Sequence, residues 1–488
     1  MTTTAPRPPR TRTGPQRGGA WLRGWLARPL TSFHLVLGVF ALLTGLGLVM
    51  VLSASSAQAA AAGSAYSLFQ KQLVFVLLGA VLFYVALRMP IRVVRKLATP
   101  AVVVSVVLLM AVLVPGVGAD INGTRGWFRI GSLSFQPAEA AKIALAVWGA
   151  GVLATHRPHL PPLRHLAVPL LPVAALVALL ILLQPDLGST VTLAIIVLAL
   201  LWFGGLPMKL VALASVGAAG GALVFGLLVG PRSARIESWL NPDVNLAGSG
   251  YQALQARYSL ADGGWLGVGL GQSRAKWNYL PNAHNDFIFA IIGEELGFLG
   301  AGLVLVLFGV LAWVGLRISA RSVDPFLVLL SATTTVWLVG QAFLNTGYVT
   351  GLLPVTGLQL PMISSGGTST ALTMLMFGLL ANAARHEPEA IAAVRAGDAG
   401  RLSHRFRLPA PQPFVERRLR AVPGPRRAPR AERTGGARPS TPRPDRTPAP
   451  RPDRTPAPRA ARAPAPRPTR AAPARRPAGG PRDRGTRR

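Results

Sequence analysis

Residues Asn345 to Ser369 read NTGYVTGLLPVTGLQLPMISSGGTS, with an apolar run on either side. The punctuation of this stretch decides the fold. Gly351, Pro354, Gly357, Pro361 and the Gly366-Gly367 pair allow tight turns and close backbone approaches that other residues resist. Polar Asn345, Thr356, Ser364, Ser365 and Thr368 alternate with apolar neighbours. That is the pattern of a re-entrant or interfacial loop rather than of a solvated linker. Gly/Pro-rich turns between membrane helices share fragments of the pattern but not its length.

Working outward, ten apolar segments reach or approach the roughly 20 residues a membrane helix needs. They cover 33–52, 73–87, 100–117, 138–154, 166–183, 187–203, 210–229, 287–316, 326–344 and 367–384. The fold class is therefore an all-α polytopic membrane protein of about ten transmembrane helices. Only Gln184-Pro185-Asp186 separates the fifth from the sixth, as in a helical hairpin. The connections 88–96, 156–165, 204–209 and 317–321 carry Lys or Arg, whereas 53–70 carries neither. By the positive-inside rule the former are cytoplasmic, and an even count leaves both termini there. Two longer connections then lie outside, Gly118–Pro137 and a large loop, Gly230–Asn285, before the eighth helix.

The chain has 488 residues, of which 50% are hydrophobic, yet a net charge of +33 and 43 prolines. Position resolves the contradiction, since about half of the 51 basic residues follow His386 in a Pro/Ala/Arg-rich tail. The sequence thus divides into a basic cytoplasmic N-tail (1–30), a membrane domain (31–385) and a cytoplasmic C-tail (386–488). Both tails lack the bulky apolar residues that would offset chain entropy, so disorder is expected there. RPDRTPAP at 443–450 repeats at 451–458 as low complexity. Basic tails bind polyanions, but no aromatic stacking pattern or nucleic-acid motif accompanies these. Anionic lipid or partner docking fits better than nucleic acid. Cysteine is absent, which excludes disulfides and thiolate chemistry.

Between the tails there are ten acidic residues: Asp120, Glu139, Asp186, Glu237, Asp243, Asp262, Asp286, Glu294, Glu295 and Asp324. All but Asp324 fall outside or in helix parts reaching toward that face, which makes the extracytoplasmic half the working half. Asp286, in LPNAHNDFIFAIIGEE, stands where the large loop enters the eighth helix. It is either a helix cap or a reactive carboxylate. Glu294 and Glu295 lie roughly 12–14 Å deeper at helical rise and need a partner, for which Lys142 is available. Lys142 stands three residues after Glu139 and can equally pair with it. Gly264, Gly267, Gly269 and Gly271 invite a nucleotide-binding reading, but no βαβ unit surrounds them. No His/Cys/Asp spacing marks a structural metal site.

The 345–369 stretch resembles the signature of the SEDS family (FtsW, RodA and the sporulation protein SpoVE), polytopic builders of peptidoglycan glycan strands. The resemblance runs over about 29–385. It implies a glycosyltransferase that polymerises lipid II onto a growing glycan strand and releases undecaprenyl diphosphate. In that family the aspartate preceding Phe-Ile-Phe-Ala is considered catalytic, which makes Asp286 the catalytic residue here. Asn282 stands where the family usually has glutamate after the proline.

Cations available to the diphosphate are Lys71, Arg125, Arg129, Lys142, Arg232, Arg235, Arg274 and Lys276. The family-like segments NGTRGWFRIGSLSFQPAEAAK and GWLGVGLGQSRAKWNYLP favour Arg129, Lys142 and Lys276. Gln136, Asp186, His284, Ser364, Gly366 and Gly367 complete the expected substrate-binding set, with Gln136-Pro137 and Gln184-Pro185-Asp186 shaping helix ends near the cavity. No cofactor is required by the pattern, although a divalent cation (Mg²⁺ or Mn²⁺) fits at a diphosphate.

GLVMVLSASSAQA at the first helix's end and Tyr66–Gln72 resemble the septal FtsW branch more than the elongation RodA branch. That branch implies a class B penicillin-binding transpeptidase and other divisome proteins as partners. The Ala/Arg/Pro-rich composition suggests a GC-rich bacterial genome. A lipid II flippase or a pure divisome scaffold would use the same polytopic frame, though no internal repeat of the transporter kind is seen.

Overall fold

The computed structural model describes Gly24, Leu26 and residues 28–61, 64, 66–121, 123–131, 133–155, 162–228, 230–241, 249–277, 280–281, 283–397 and 405–414. All belong to one compact unit, Met1–Glu416, and the second unit, Arg417–Arg488, lies outside the described residues.

The ten expected segments are all helical among the described residues. They form α1 (Thr31–Ala61), α2 (Ser67–Arg88), α3 (Ile91–Leu113), α4 (Pro137–Leu153), α5 (Pro162–Leu182), α6 (Leu187–Phe203), α7 (Met208–Leu228), α10 (Ile288–Arg321), α11 (Pro325–Val349) and α12 (Thr368–Arg385). Six of them, α1, α2, α3, α7, α10 and α11, are long and apolar enough to cross a membrane. The chain is a multi-pass membrane protein. Its lipid-facing helices expose rows of Leu and Val, as on α2 and α3, whereas α4, α11 and α12 are enclosed and carry many of the buried polar side chains. Unpaired polar groups are costly at membrane depth, so these three helices form the interior of the bundle.

Helix ends follow local chemistry. Pro137 and Pro325 occupy first-turn positions, where the missing N–H costs nothing. Asp186 caps α6 by accepting from the Ser189 amide at 2.9 Å, and Asp324 caps α11 through the Phe326 amide at 3.0 Å.

The connections depart from the plain loops that the sequence suggested. The 118–137 connection folds into a three-stranded antiparallel sheet, β1 (Ala119–Ile121), β2 (Thr124–Ile130) and β3 (Leu133–Phe135), in the order β1-β2-β3. The 230–285 connection holds two helices, α8 (Gly230–Leu240) and α9 (Ser249–Asp262). A final helix, α13 (Pro388–Arg395), lies inside the segment assigned to the C-tail, so order continues past 385. Arg321 holds it by an ion pair to Glu387 at 3.2 Å and another to Glu389. Arg385 donates to the Pro409 carbonyl at 2.8 Å and Tyr84 to that of Phe406 at 3.1 Å, which seats 405–414 on the same end. Arg95 pairs with Asp324 there too, and Asn382 donates to the Ala86 and Met89 carbonyls at 2.9 and 2.7 Å.

Helix α10 is 34 residues long but broken at Gly297, whose φ is +68°. The glycine-rich stretch after α9 is laced into the break. Val268 and Gly269 donate to the Glu294 and Glu295 carbonyls at 2.9 and 3.1 Å, while Phe298 donates to the Gly264 carbonyl at 2.8 Å. A Cβ on Gly297 would collide with the Gly267 amide, and one on Gly267 with the Glu295 carbonyl. Backbone meets backbone here, and only glycine leaves room.

Candidate active site

The other end of the bundle gathers the 284–286 turn, the loop from α11 to α12, the α5–α6 turn and the β-sheet. Asp286 lies two residues before α10. It does not cap that helix: Phe287 takes the cap position and no side chain caps the end. What holds Asp286 is its backbone. The His284 carbonyl accepts from the Ser365 amide at 3.0 Å, and the Asn285 carbonyl from Ser364 Oγ at 2.7 Å. The Asp286 carbonyl takes Asn345 Nδ2 at 2.9 Å and the Tyr348 hydroxyl at 2.7 Å. Three consecutive peptide carbonyls are thus clamped by α11 and the loop that follows it.

The clamp is itself anchored. Asn345 and Tyr348 share one face of α11 at i,i+3 spacing, and both also reach the Leu358 carbonyl at 2.7 Å. Ser364 Oγ accepts from the Leu360 amide at 2.8 Å. Gln72 and Thr370 donate to the Ser364 carbonyl at 3.4 and 3.3 Å. Ser364 is therefore fully engaged in holding backbone. Gly366 leaves no room for a side chain because Gln359 Oε1 occupies the place, and Gly367 starts α12 at φ +53° against the Phe75 ring. These three residues build the site rather than face its opening.

The carboxylate of Asp286 has no hydrogen-bond partner among the described residues. Its Oδ2 and a guanidinium nitrogen of Arg235 both lie within 3.7 Å of the point where a Cβ on Gly357 would sit. The two groups are close but do not form an ion pair. Burial pushes the Asp286 carboxyl up from 3.8 to about 7, against the opposing pull of Arg235. A carboxylate here is therefore a far better proton acceptor than an exposed one. His284 is held below its ordinary value by burial and is neutral at pH 7.

The expected cations separate. Lys142 is completely buried, pairs with Glu139 at 2.8 Å and lies 5.5 Å from the Trp337 ring centre. Ser369 donates to the other oxygen of Glu139 at 3.3 Å. Lys142 is therefore not the partner of Glu294 or Glu295. Glu294 accepts from Ser273 Oγ at 2.8 Å and the Arg274 amide at 2.6 Å, and Glu295 from Ser53 Oγ at 2.6 Å. Lys276 is also buried, donating to the Gly271 carbonyl at 2.5 Å and lying 3.8 Å from Glu295. Arg129 is exposed on β2. Gln136 donates to Asp186 at 2.8 Å, which joins the start of α4 to the start of α6 as helix-end shaping requires. Asn282 lies outside the described residues.

Among the described side chains, Arg235 is the cation whose charge acts on Asp286. It belongs to α8, and with Arg257 of α9 it lines a cavity closed by Trp239, Tyr348 and Gly351. Arg257 had no signal in the sequence, being one basic residue on a short polar helix. Asn345 and Tyr348 did, through their shared helical face within the signature. Among the described residues no three carboxylates or histidines gather as a metal-ligand set.

The family model of the FtsW/RodA/SpoVE cell cycle proteins matches residues 33–389. A Mycobacterium tuberculosis protein named probable peptidoglycan glycosyltransferase FtsW is 52% identical over 437 residues, covering 89% of this chain and 82% of that one. Stage V sporulation protein E of Bacillus subtilis is 37% identical over 360 residues, covering 73% and 98%. Among solved structures, a chain of a peptidoglycan synthase complex that coordinates polymerization and crosslinking has a TM-score of 0.60 at 29% identity. Thermus thermophilus RodA has a TM-score of 0.55 at 28% identity. Each match covers 75% of this chain and 99% of the other.

Proposed function

Because the chain belongs to the FtsW/RodA/SpoVE family and is a peptidoglycan glycosyltransferase, we propose that it polymerises lipid II into septal glycan strands with Asp286 as general base. The acceptor sugar hydroxyl attacks the anomeric carbon of the growing chain. Asp286 takes the hydroxyl proton as the new glycosidic bond forms, and undecaprenyl diphosphate departs with the electron pair of the broken bond. One observation carries this reading. The Asp286 carboxylate has no hydrogen-bond partner among the described residues, its backbone is clamped, and burial raises its proton affinity to about 7. A base with that affinity is half ionised near neutral pH, where general catalysis works best. Its place beside the start of α10 suits a lipid-anchored bond, which must react near an interface.

The site end is extracytoplasmic in this reading because the short connections at the opposite end each carry Lys or Arg, whereas 53–70 carries neither. Septal work is favoured by the 52% identity to a protein named FtsW, against 28% to RodA. A class B transpeptidase partner is supported by the likeness to a chain of a synthase complex. A divalent cation would arrive as counter-ion of the diphosphate, since Asp286 alone, beside a guanidinium, makes a poor resident metal site.

The test is polymerisation of labelled lipid II by the purified protein, alone and with its cognate transpeptidase, products being resolved by gel. Wild type should give a ladder of glycan polymers that Asp286→Asn does not. A folded Asp286→Asn protein that polymerises normally would remove the base. Transport of lipid II in vesicles without polymer would make the chain a flippase.

A further inference from the structure

The cavity lined by Arg235 and Arg257 has a charge imbalance. Both guanidinium groups are half-buried, and neither has a carboxylate within ion-pair distance among the described residues. Among the described residues, the one side-chain hydrogen bond of Arg257 goes from Nε to the Ala253 carbonyl at 3.4 Å, which leaves its outer nitrogens without an acceptor among them. Two like charges sharing one partly desolvated opening repel each other and forfeit hydration, and an anion between them offsets both costs. Guanidinium forks match phosphate oxygens two at a time.

The surroundings fix this opening against the reactive end. The Trp239 indole N–H donates to the Gly351 carbonyl at 3.1 Å, so α8 is tied to the start of the signature loop. The Arg257 stem rests on Gly351, its Cδ 3.2 Å from where a Cβ would be. Tyr348 contributes to the cavity wall and to the Asp286 clamp alike. We infer that Arg235 and Arg257 form a two-guanidinium seat for the diphosphate of the lipid-linked donor and of the departing product, directly beside Asp286. The inference rests on the polymerase reading and names how its leaving group is held.

The cavity measures about 30 Å³, room for about two waters. A diphosphate is larger than this, so the seat lies at the mouth of the cavity, within reach of the two arginine side chains. Charge that builds on the leaving oxygen during bond cleavage then develops between two cations.

Inorganic diphosphate serves as the probe, titrated calorimetrically into the purified protein in zwitterionic detergent, with orthophosphate alongside. Product inhibition by undecaprenyl diphosphate is measured in the polymerisation assay. Wild type should bind diphosphate saturably and more tightly than orthophosphate. Arg235→Gln and Arg257→Gln should each weaken diphosphate binding at least about ten-fold, a loss of about 1.4 kcal/mol, with unchanged thermal unfolding. Both should raise the inhibition constant of undecaprenyl diphosphate and the donor KM, and Arg257→Lys should recover part of the loss. Asp286→Asn should abolish polymer yet bind diphosphate at least as well, because a nearby negative charge is gone. Diphosphate binding and product inhibition that are indifferent to both arginine substitutions overturn the seat, even if Asp286→Asn is inactive. An active Asp286→Asn enzyme with arginine-dependent binding would instead overturn the base and leave the seat standing.

Discussion

Asn345 and Tyr348 bring three polar hydrogens to two buried carbonyls, those of Asp286 and Leu358. The asymmetry makes a double-mutant cycle decisive. Tyr348→Phe leaves two amide hydrogens for two carbonyls, so neither is orphaned and the cost is that of one hydrogen bond, about 1 kcal/mol. Asn345→Leu leaves one hydroxyl hydrogen, which orphans one carbonyl at about 1–3 kcal/mol. The double variant orphans both. It orphans one carbonyl more than the two single variants together, and less the hydrogen bond already charged to Tyr348→Phe this sets a coupling energy of up to about 2 kcal/mol. Unfolding free energies of the four proteins in mixed micelles would measure it, with lipid II polymerisation rates taken on the same preparations. The rates should fall in the same order, because the clamped carbonyl belongs to the residue proposed as the base. A double variant no less stable than Asn345→Leu, or one that polymerises as fast as Tyr348→Phe, would refute the clamp.

Three further outcomes are expected. Polymerisation should rise from pH 6 to pH 8 along a limb set by the Asp286 carboxyl near 7; Arg235→Gln should move that limb to higher pH, since the lost cation favoured ionisation. Lys142→Met should destabilise the bundle by about 3–5 kcal/mol by leaving Glu139 unpaired and buried, and adding Glu139→Gln should restore most of it in thermal unfolding. Gly267→Ala should lower the unfolding temperature and loosen the 263–276 segment to proteolysis, because its Cβ would fall on the Glu295 carbonyl. An unchanged melting temperature would remove the close approach from the account.

The ten bundle helices were legible because each is an apolar run bounded by charge, glycine or proline, and such runs need no partner to be recognised. The Glu139–Lys142 pair was legible too, being local. What escaped reading depends on distant partners. The seven residues TRGWFRI of β2 become a strand only beside β1 and β3. The glycines at 264–269 make sense only against the break at Gly297, about thirty residues on. The donors to Glu294 and Glu295 come from 273–274 and from α1, which no spacing rule connects to α10. Arg321 read as a charge in a short connection and Arg385 as the last charge before a tail, yet their partners, Glu387 and Pro409, extend the ordered chain past 385.

The clamp has a consequence for synthesis as well as for catalysis. His284, Asn285 and Asp286 leave the ribosome well before the residues that hold them, the Ser364–Asn285 bond alone spanning 79 positions. At about 5–20 residues per second, the reactive turn waits on the order of ten seconds for its support, and longer if α12 is slow to insert. A nascent or truncated chain that already has α10 in the bilayer still has a loose Asp286. Competence comes last, once the C-terminal helices are home, so an unfinished molecule holds no assembled base to spend on its substrate.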